Sequence, residues 1–186
     1  MATFSTADQV LVGAQATDAF APASGSLALG QLESTAIPVD LPSDTYRTLY
    51  RVVMGGVEPG DTLDIDAHAR VTNNLGYNVG VGWHLWMYDY NLRAEPGNPW
   101  WRISAFSGEN VTANMHHMPL PLACLYRMPD DWPSGHRPVI VLRADAHSTA
   151  WQSGDTIAVD AGYGQLIVRR WATPAPAPAP EPCPTI

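Results

Sequence analysis

The chain has 186 residues, of which 46% are hydrophobic and only 15% charged, enough for one core and little more. Its net charge is −8 and its basic residues never run longer than Arg169-Arg170, which excludes the electrostatic footprint of a nucleic-acid binder. No stretch approaches the ~18 apolar residues of a membrane-spanning helix, so no membrane partner is expected.

All ten basic residues are arginine. Lysine codons are AT-rich, so their absence beside abundant Ala, Pro and Gly marks a GC-rich genome. The charged share lies below the usual value of about 25%, as suits a surface largely covered by neighbours. The first residues, Met1-Ala2-Thr3-Phe4-Ser5, lack the basic and apolar regions of a secretory signal. Synthesis in a cytoplasm is therefore expected. There Cys124 and Cys183 are expected as free thiols, pairing only if the tail folds back on the body.

In chain order, residues 1–44 form an N-terminal arm, with Ala21-Pro22-Ala23-Ser24-Gly25-Ser26 at its centre and one short strand pattern at 9–13. Residues 45–171 form a strand-rich body. Its clearest strand is 61–71, where Leu63, Ile65, Ala67, Ala69 and Val71 alternate with Thr62, Asp64, Asp66, His68 and Arg70, giving one buried and one wet face. Val79, Val81, Trp83, Leu85 and Met87 alternate with Gly80, Gly82, His84, Trp86 and Tyr88. That second face is partly aromatic and suits cover by a neighbour.

Further strands are expected at 46–54, 101–106, 120–126, 139–146, 156–161 and 165–171, separated by turns such as Glu58-Pro59-Gly60-Asp61 and Pro133-Ser134-Gly135. Gly60-Asp61-Thr62 and Gly154-Asp155-Thr156 each launch an alternating strand. Glycine takes the positive φ and the Asp or Thr bonds nearby amides. Many short strands without a helical stripe predict an all-β, jelly-roll-like antiparallel β-sandwich. Residues 172–186 form a Pro/Ala-rich tail whose alternate prolines forbid helix and central strand. Polyproline II is its regular option, ~34 Å over the eleven residues 174–184 at ~3.1 Å each.

Chemistry-bearing patterns are sparse. Six histidines, His68, His84, His116, His117, His136 and His147, contain no His-x-His pair, and adjacent His116 and His117 on a strand point to opposite faces. Asp61, Asp64 and Asp66 lack the glycine and terminal Glu of a calcium loop. No Gly-x-Ser-x-Gly elbow occurs, and Cys124 within Leu122-Ala123-Cys124-Leu125 reads as core. Neither an enzyme nor a bound metal or cofactor is expected. Trp100, Trp101 and Trp132 fall in loop-like segments, where tryptophan serves core packing, a subunit interface or a carbohydrate platform.

The Gly-Asp-Thr strand starts at 60–62 and 154–156, the segment Ser107-Gly108-Glu109-Asn110-Val111-Thr112-Ala113-Asn114-Met115-His116-His117 and the closing Gly162-Tyr163-Gly164-Gln165-Leu166-Ile167-Val168-Arg169-Arg170-Trp171 carry a resemblance. Over residues 45–171 the chain resembles the jelly-roll virion proteins of phages infecting GC-rich actinobacteria, a group that includes capsid decoration, minor capsid and fibre-head proteins. The resemblance implies a structural protein on the capsid surface of the virion, a homotrimer whose partners are the major capsid protein and copies of itself. The interaction candidates are Phe4, Trp86, Tyr88, Trp100, Trp101, Trp132, Pro176, Pro178 and Pro180. The alternative is a receptor- or carbohydrate-binding head of a tail or fibre, using the loop tryptophans.

Overall fold

A computed structural model describes residues 25–40 and 46–172. The described residues contain strands, turns and loops without a helix. Twelve strands follow in order: β1 (Gly25–Leu29), β2 (Gln31–Leu32), β3 (Ala36–Asp40), β4 (Arg47–Val53), β5 (Thr62–Thr72) and β6 (Val79–Asp89), then β7 (Trp101–Arg102), β8 (Ser107–Val111), β9 (Met118–Arg127), β10 (Pro138–His147), β11 (Thr156–Val159) and β12 (Gln165–Trp171).

They build a jelly-roll-like sandwich of two sheets. In the first, β5 is flanked by β9 on one side and by β12 and β11 on the other, with β1 beyond β12. In the second, β10 lies between β4 and β6; β2 extends the β4 side, and β7 and β8 pair with β6. Strand β3 joins the sheets, antiparallel to β11 and parallel to the last two residues of β10.

The period-two patterns explain the core. Leu63, Ile65, Ala67, Ala69 and Val71 of β5 are buried, as are Val79, Val81, Trp83, Leu85 and Met87 of β6. Leu166 and Val168 from β12 and Ile140, Leu142, Ala144 and Ala146 from β10 complete the inner layers. Each large aliphatic side chain buried this way contributes about 2 kcal/mol. The outward residues of β5 stay wetter, with Asp66 exposed and Asp64 half-buried beside Arg169 Nη1 at 3.4 Å.

The paired Gly-Asp turns are the same device. Gly60 and Gly154 have φ of 77° and 94°, the left-handed region that glycine enters without steric cost. Asp61 Oδ2 accepts from Glu58 N at 2.8 Å, and Asp155 Oδ2 accepts from Gln152 N at 2.7 Å. Each carboxylate also reaches a distant element: Asp61 pairs with Arg170 of β12, and Asp155 accepts from the hydroxyl of Tyr77. A third carboxylate, the half-buried Asp160, takes Arg70 Nε at 2.8 Å, Thr72 Oγ1 at 3.0 Å and His117 Nδ1 at 3.0 Å. Burial alone would raise its pKa, but the bonds from His117, Thr72 and Arg70 outweigh that and hold it below the usual aspartate value.

Several expectations need correction. Residues 25–40, assigned to the arm, form three strands; Ile37 and Val39 are 0% and 2% exposed, so the sandwich begins at least as early as Gly25. The pattern was too short to be read, because β3 turns only two side chains inward. The strand expected at 101–106 shrinks to Trp101–Arg102, and pairing with β6 resumes at Ser107. His116 and His117 lie in the loop before β9 rather than on a strand, with His117 at φ 65°. Cys124 points inward on β9 but is only half-buried, because β9 is the edge of its sheet among the described strands. The strand expected at 9–13 and most of the tail lie outside the described residues.

Asp61 is 2% exposed and Arg170 Nε approaches it at 2.6 Å. Replacing the cation removes the ion pair of a buried carboxylate. Arg170→Met is therefore expected to lower stability by roughly 2–3 kcal/mol, measured as a lower urea midpoint at unchanged slope. A loss below about 0.5 kcal/mol, the range of an ordinary surface change, contradicts this role.

Candidate functional site

The outer face of the second sheet gathers most of the protein's unusual side chains. Antiparallel register sets Arg143 of β10 opposite His84 of β6, Val141 opposite Trp86, and Val139 opposite Tyr88. Directly opposed residues share a face, so strand alternation delivers an imidazole, an indole and a phenol in a row with a guanidinium beside them. Tyr46, just before β4, and Trp100, just before β7, then fold over this row.

Arg143 is the centre of the cluster. Its guanidinium carbon lies 4.9 Å from the Trp100 ring, 5.0 Å from Tyr46 and 5.6 Å from Trp86. Each contact of this kind is worth about 0.5–2 kcal/mol according to how dry it is. Trp100 also stacks on Tyr88, with ring centroids 4.5 Å apart at 27°, yet remains 42% exposed. The two rings form a shelf beside a hollow lined by Arg93, Glu95, Gly97 and Asn98.

His84 lies beneath this cover, 1% exposed, with the rings of Tyr46, Trp86 and Phe106 at 4.9, 5.5 and 5.8 Å. Neither of its nitrogens finds a hydrogen-bond partner among the described residues, nor does Trp86 Nε1. Burial, followed by the positive charges of Arg102 and Arg143, lowers its pKa to about 4. The imidazole is thus neutral at pH 7 and serves as an aromatic packing element.

Further along the same face, Gly80, Gly82 and Gly108 form the floor of a second hollow of about 450 Å³, bordered by Phe106, Glu109, Asn110 and His147. These glycines have a packing reason. A Cβ at Gly80 would lie 2.7 Å from the His147 ring, and one at Gly82 would overlap the ring of Phe106. Phe106 can therefore lie across the strands while staying 53% exposed.

Of the sequence-predicted residues, Trp86, Tyr88 and Trp100 come together here. Trp86 and Tyr88 are half-buried; Trp100 stacks on Tyr88 and Arg143 lies over Trp86. Trp101 stands at the end of the sandwich, 37% exposed, its ring 6.2 Å from that of Trp132 at 69°. Trp132 itself needs correction as an accessible contact: it is 5% exposed and belongs to the core. The turn that bonds Trp132 N to Pro129 O, and the indole to His136 O at 3.4 Å, turns the ring inward. Phe4, Pro176, Pro178 and Pro180 lie outside the described residues.

Tyr46, Arg143 and Phe106 were not singled out from sequence. Arg143 interrupts the apolar run Val139-Ile140-Val141-Leu142 at an outward position, and that charge within a buried strand was the available signal.

His84 gives a pH test. Its folded pKa lies below the ordinary 6.5, so the unfolded chain binds the proton more readily and stability falls as pH drops from 6.5 towards 4. With about 1.4 kcal/mol per unit, the loss reaches roughly 3 kcal/mol and levels off below pH 4. Urea titrations are expected to lose this component in His84→Gln; an unchanged pH slope in that variant rejects the assignment.

No protein-family model matches the chain, and no curated protein matches it. Among solved structures, a chain in the structure of infectious bursal disease virus Gx strain matches 78% of this chain and 33% of its own length, with TM-score 0.50 and 13% identity. A chain of the T13 viral particle of the same virus matches 78% of this chain and 31% of its own, again with TM-score 0.50 and 13% identity. The protein thus spans about a third of the length of these viral chains and shares their jelly-roll fold.

Proposed function

We propose that this protein is a structural component of a virion, a capsid decoration or minor capsid protein that binds the outer shell and copies of itself. The observation that carries this reading is the sandwich fold held in common with chains of viral particles. The lysine-free composition favours a bacteriophage of a GC-rich host, and a trimer on the capsid surface is the assembly proposed.

The body offers a surface for such contacts. On the outward side of β9, Leu125 is 73% exposed, with Pro119, Pro121 and Ala123 exposed along the same face. Two prolines in an edge strand withhold amide donors and discourage indiscriminate strand pairing. Association through apolar side chains then replaces association through backbone.

Sedimentation of the purified protein with capsids lacking it is the test. Saturable binding is expected, with Leu125→Asp weakening it by about tenfold, the ~1.4 kcal/mol of one lost apolar contact. Absence of binding to capsids contradicts the proposal, and a monomer at all accessible concentrations contradicts the trimer.

A second reading, a receptor- or carbohydrate-binding head, draws support from the glycine-floored hollow. There Phe106 offers a ring face and Glu109, Asn110 and His147 offer hydrogen-bonding groups, a combination suited to a sugar ring. Glycan-array binding that disappears in Phe106→Ala favours this reading over the first; an array without signal removes it.

A further inference from the structure

The two sheets differ in how their cations are compensated. Every arginine of the first sheet is ion-paired: Arg70 with Asp160, Arg127 with Asp130, Arg169 with Asp64 and Arg170 with Asp61. Around the second sheet, Arg93, Arg102, Arg137 and Arg143 have no carboxylate at ion-pair distance among the described residues. We propose that this uncompensated charge and the Tyr88–Trp100 shelf together form a binding site for an acidic sugar, a ring bearing a carboxylate. The site rests on the carbohydrate-binding reading and adds to it a second location and a ligand class.

The shelf supplies the stacking surface. Trp100 is held by Tyr88, its ring centroid 4.5 Å away, and by the Arg143 guanidinium carbon at 4.9 Å, yet 42% of the residue stays exposed. An indole fixed in this way loses little freedom when a ligand stacks on it. The adjoining hollow encloses about 330 Å³, at the small end of the ~300–1,000 Å³ usual for small-molecule sites. It has room for a sugar ring and not for a folded partner.

Arg93 supplies the anion contact. It lines the hollow with Tyr88 and Trp100 and is exposed. Its Nη1 donates to Tyr90 O at 3.0 Å, and its guanidinium carbon lies 4.1 Å from the Tyr90 ring. Those two contacts fix the fork and leave further N–H donors to meet a carboxylate side by side. Arg137 stands against the same Tyr90 ring at 4.2 Å. Arg102, directly opposite Trp86, shares the outer face with Arg143. These cations add to a local positive potential that draws an anion to this face, in a chain whose net charge is −8.

The remaining polar group decides between ligands. Glu95, the one carboxylate lining the hollow, accepts hydrogen bonds only, and a sugar ring carries hydroxyl donors around its rim. An acidic peptide brings charge without a ring face, and a neutral sugar leaves Arg93 unanswered. An acidic sugar matches all three groups: its C–H face on Trp100, its carboxylate on Arg93 and its hydroxyls on Glu95.

The test probes the full chain on an array of glucuronate-, galacturonate- and sialate-ended glycans beside their neutral counterparts. The strongest acidic ligand is then titrated as the free acid and as its methyl ester, which keeps the ring and removes the charge. The acid is expected to bind about tenfold tighter than the ester, with a preference that shrinks as salt is raised. Arg93→Gln, which leaves the stacked rings in place, removes the preference. Trp100→Ala removes binding of both forms, and Trp151→Ala, an exposed tryptophan before β11, retains it. Signal from neutral glycans alone overturns the acidic ligand and keeps the carbohydrate-binding reading. Acidic-glycan binding that falls in Phe106→Ala but not in Trp100→Ala keeps that reading and overturns the shelf as the site. Equal competition by polyglutamate or by a thymidine oligonucleotide overturns the sugar as ligand, and an array without signal overturns both.

Discussion

The antiparallel register between β6 and β10 fixes more of this molecule than any other contact. Ten consecutive pairs run from Pro138 with Asp89 to His147 with Gly80, and a slip of one residue would exchange the two faces along the whole length. In the observed register Leu85, Met87, Ile140 and Leu142 face the first sheet. The same register lines up Arg143, His84, Trp86 and Tyr88 on the outside. Core and candidate site are consequences of one choice, made by the larger apolar area on the inner face.

The ends of the sandwich are closed by carboxylates. Asp61 and Asp155 each combine a local backbone bond with a partner from a distant element, and Asp160 binds Arg70 and Thr72 of β5. Buried charges of this kind are tolerated when their lone pairs are satisfied, and they penalise alternative strand pairings that would leave them bare. A chain with few charges thus spends several of them where β5, β11 and β12 begin or end. Its flat surfaces are left to aromatic and small side chains.

Much of the fold was legible in the sequence, because alternation states burial directly. The strands at 61–71 and 79–88 and the two Gly-Asp turns needed only period two and the φ preference of glycine. The strands at 25–29 and 36–40 were illegible for the same reason. With so few inward side chains, Ile37 and Val39 on β3 and Ala28 on β1, they carry too little periodicity, and the pairing partners that stabilise them, β12, β11 and β10, lie more than a hundred residues away in sequence.

The candidate site was half legible. Sequence alone determined that residues 84, 86 and 88 share an aromatic face, since side-chain direction along a strand is local geometry. It determined the composition of the proline segment, since each proline fixes its own φ and removes its own donor. Tertiary structure alone decided that Arg143 lies under Trp100 and Tyr46, that Phe106 crosses Gly82, and that Trp132 turns inward while Trp100 stays at the surface. Those outcomes depend on which strands are neighbours and in what register, and no short window of sequence carries that information, because the free energy that selects them is area buried between segments remote along the chain.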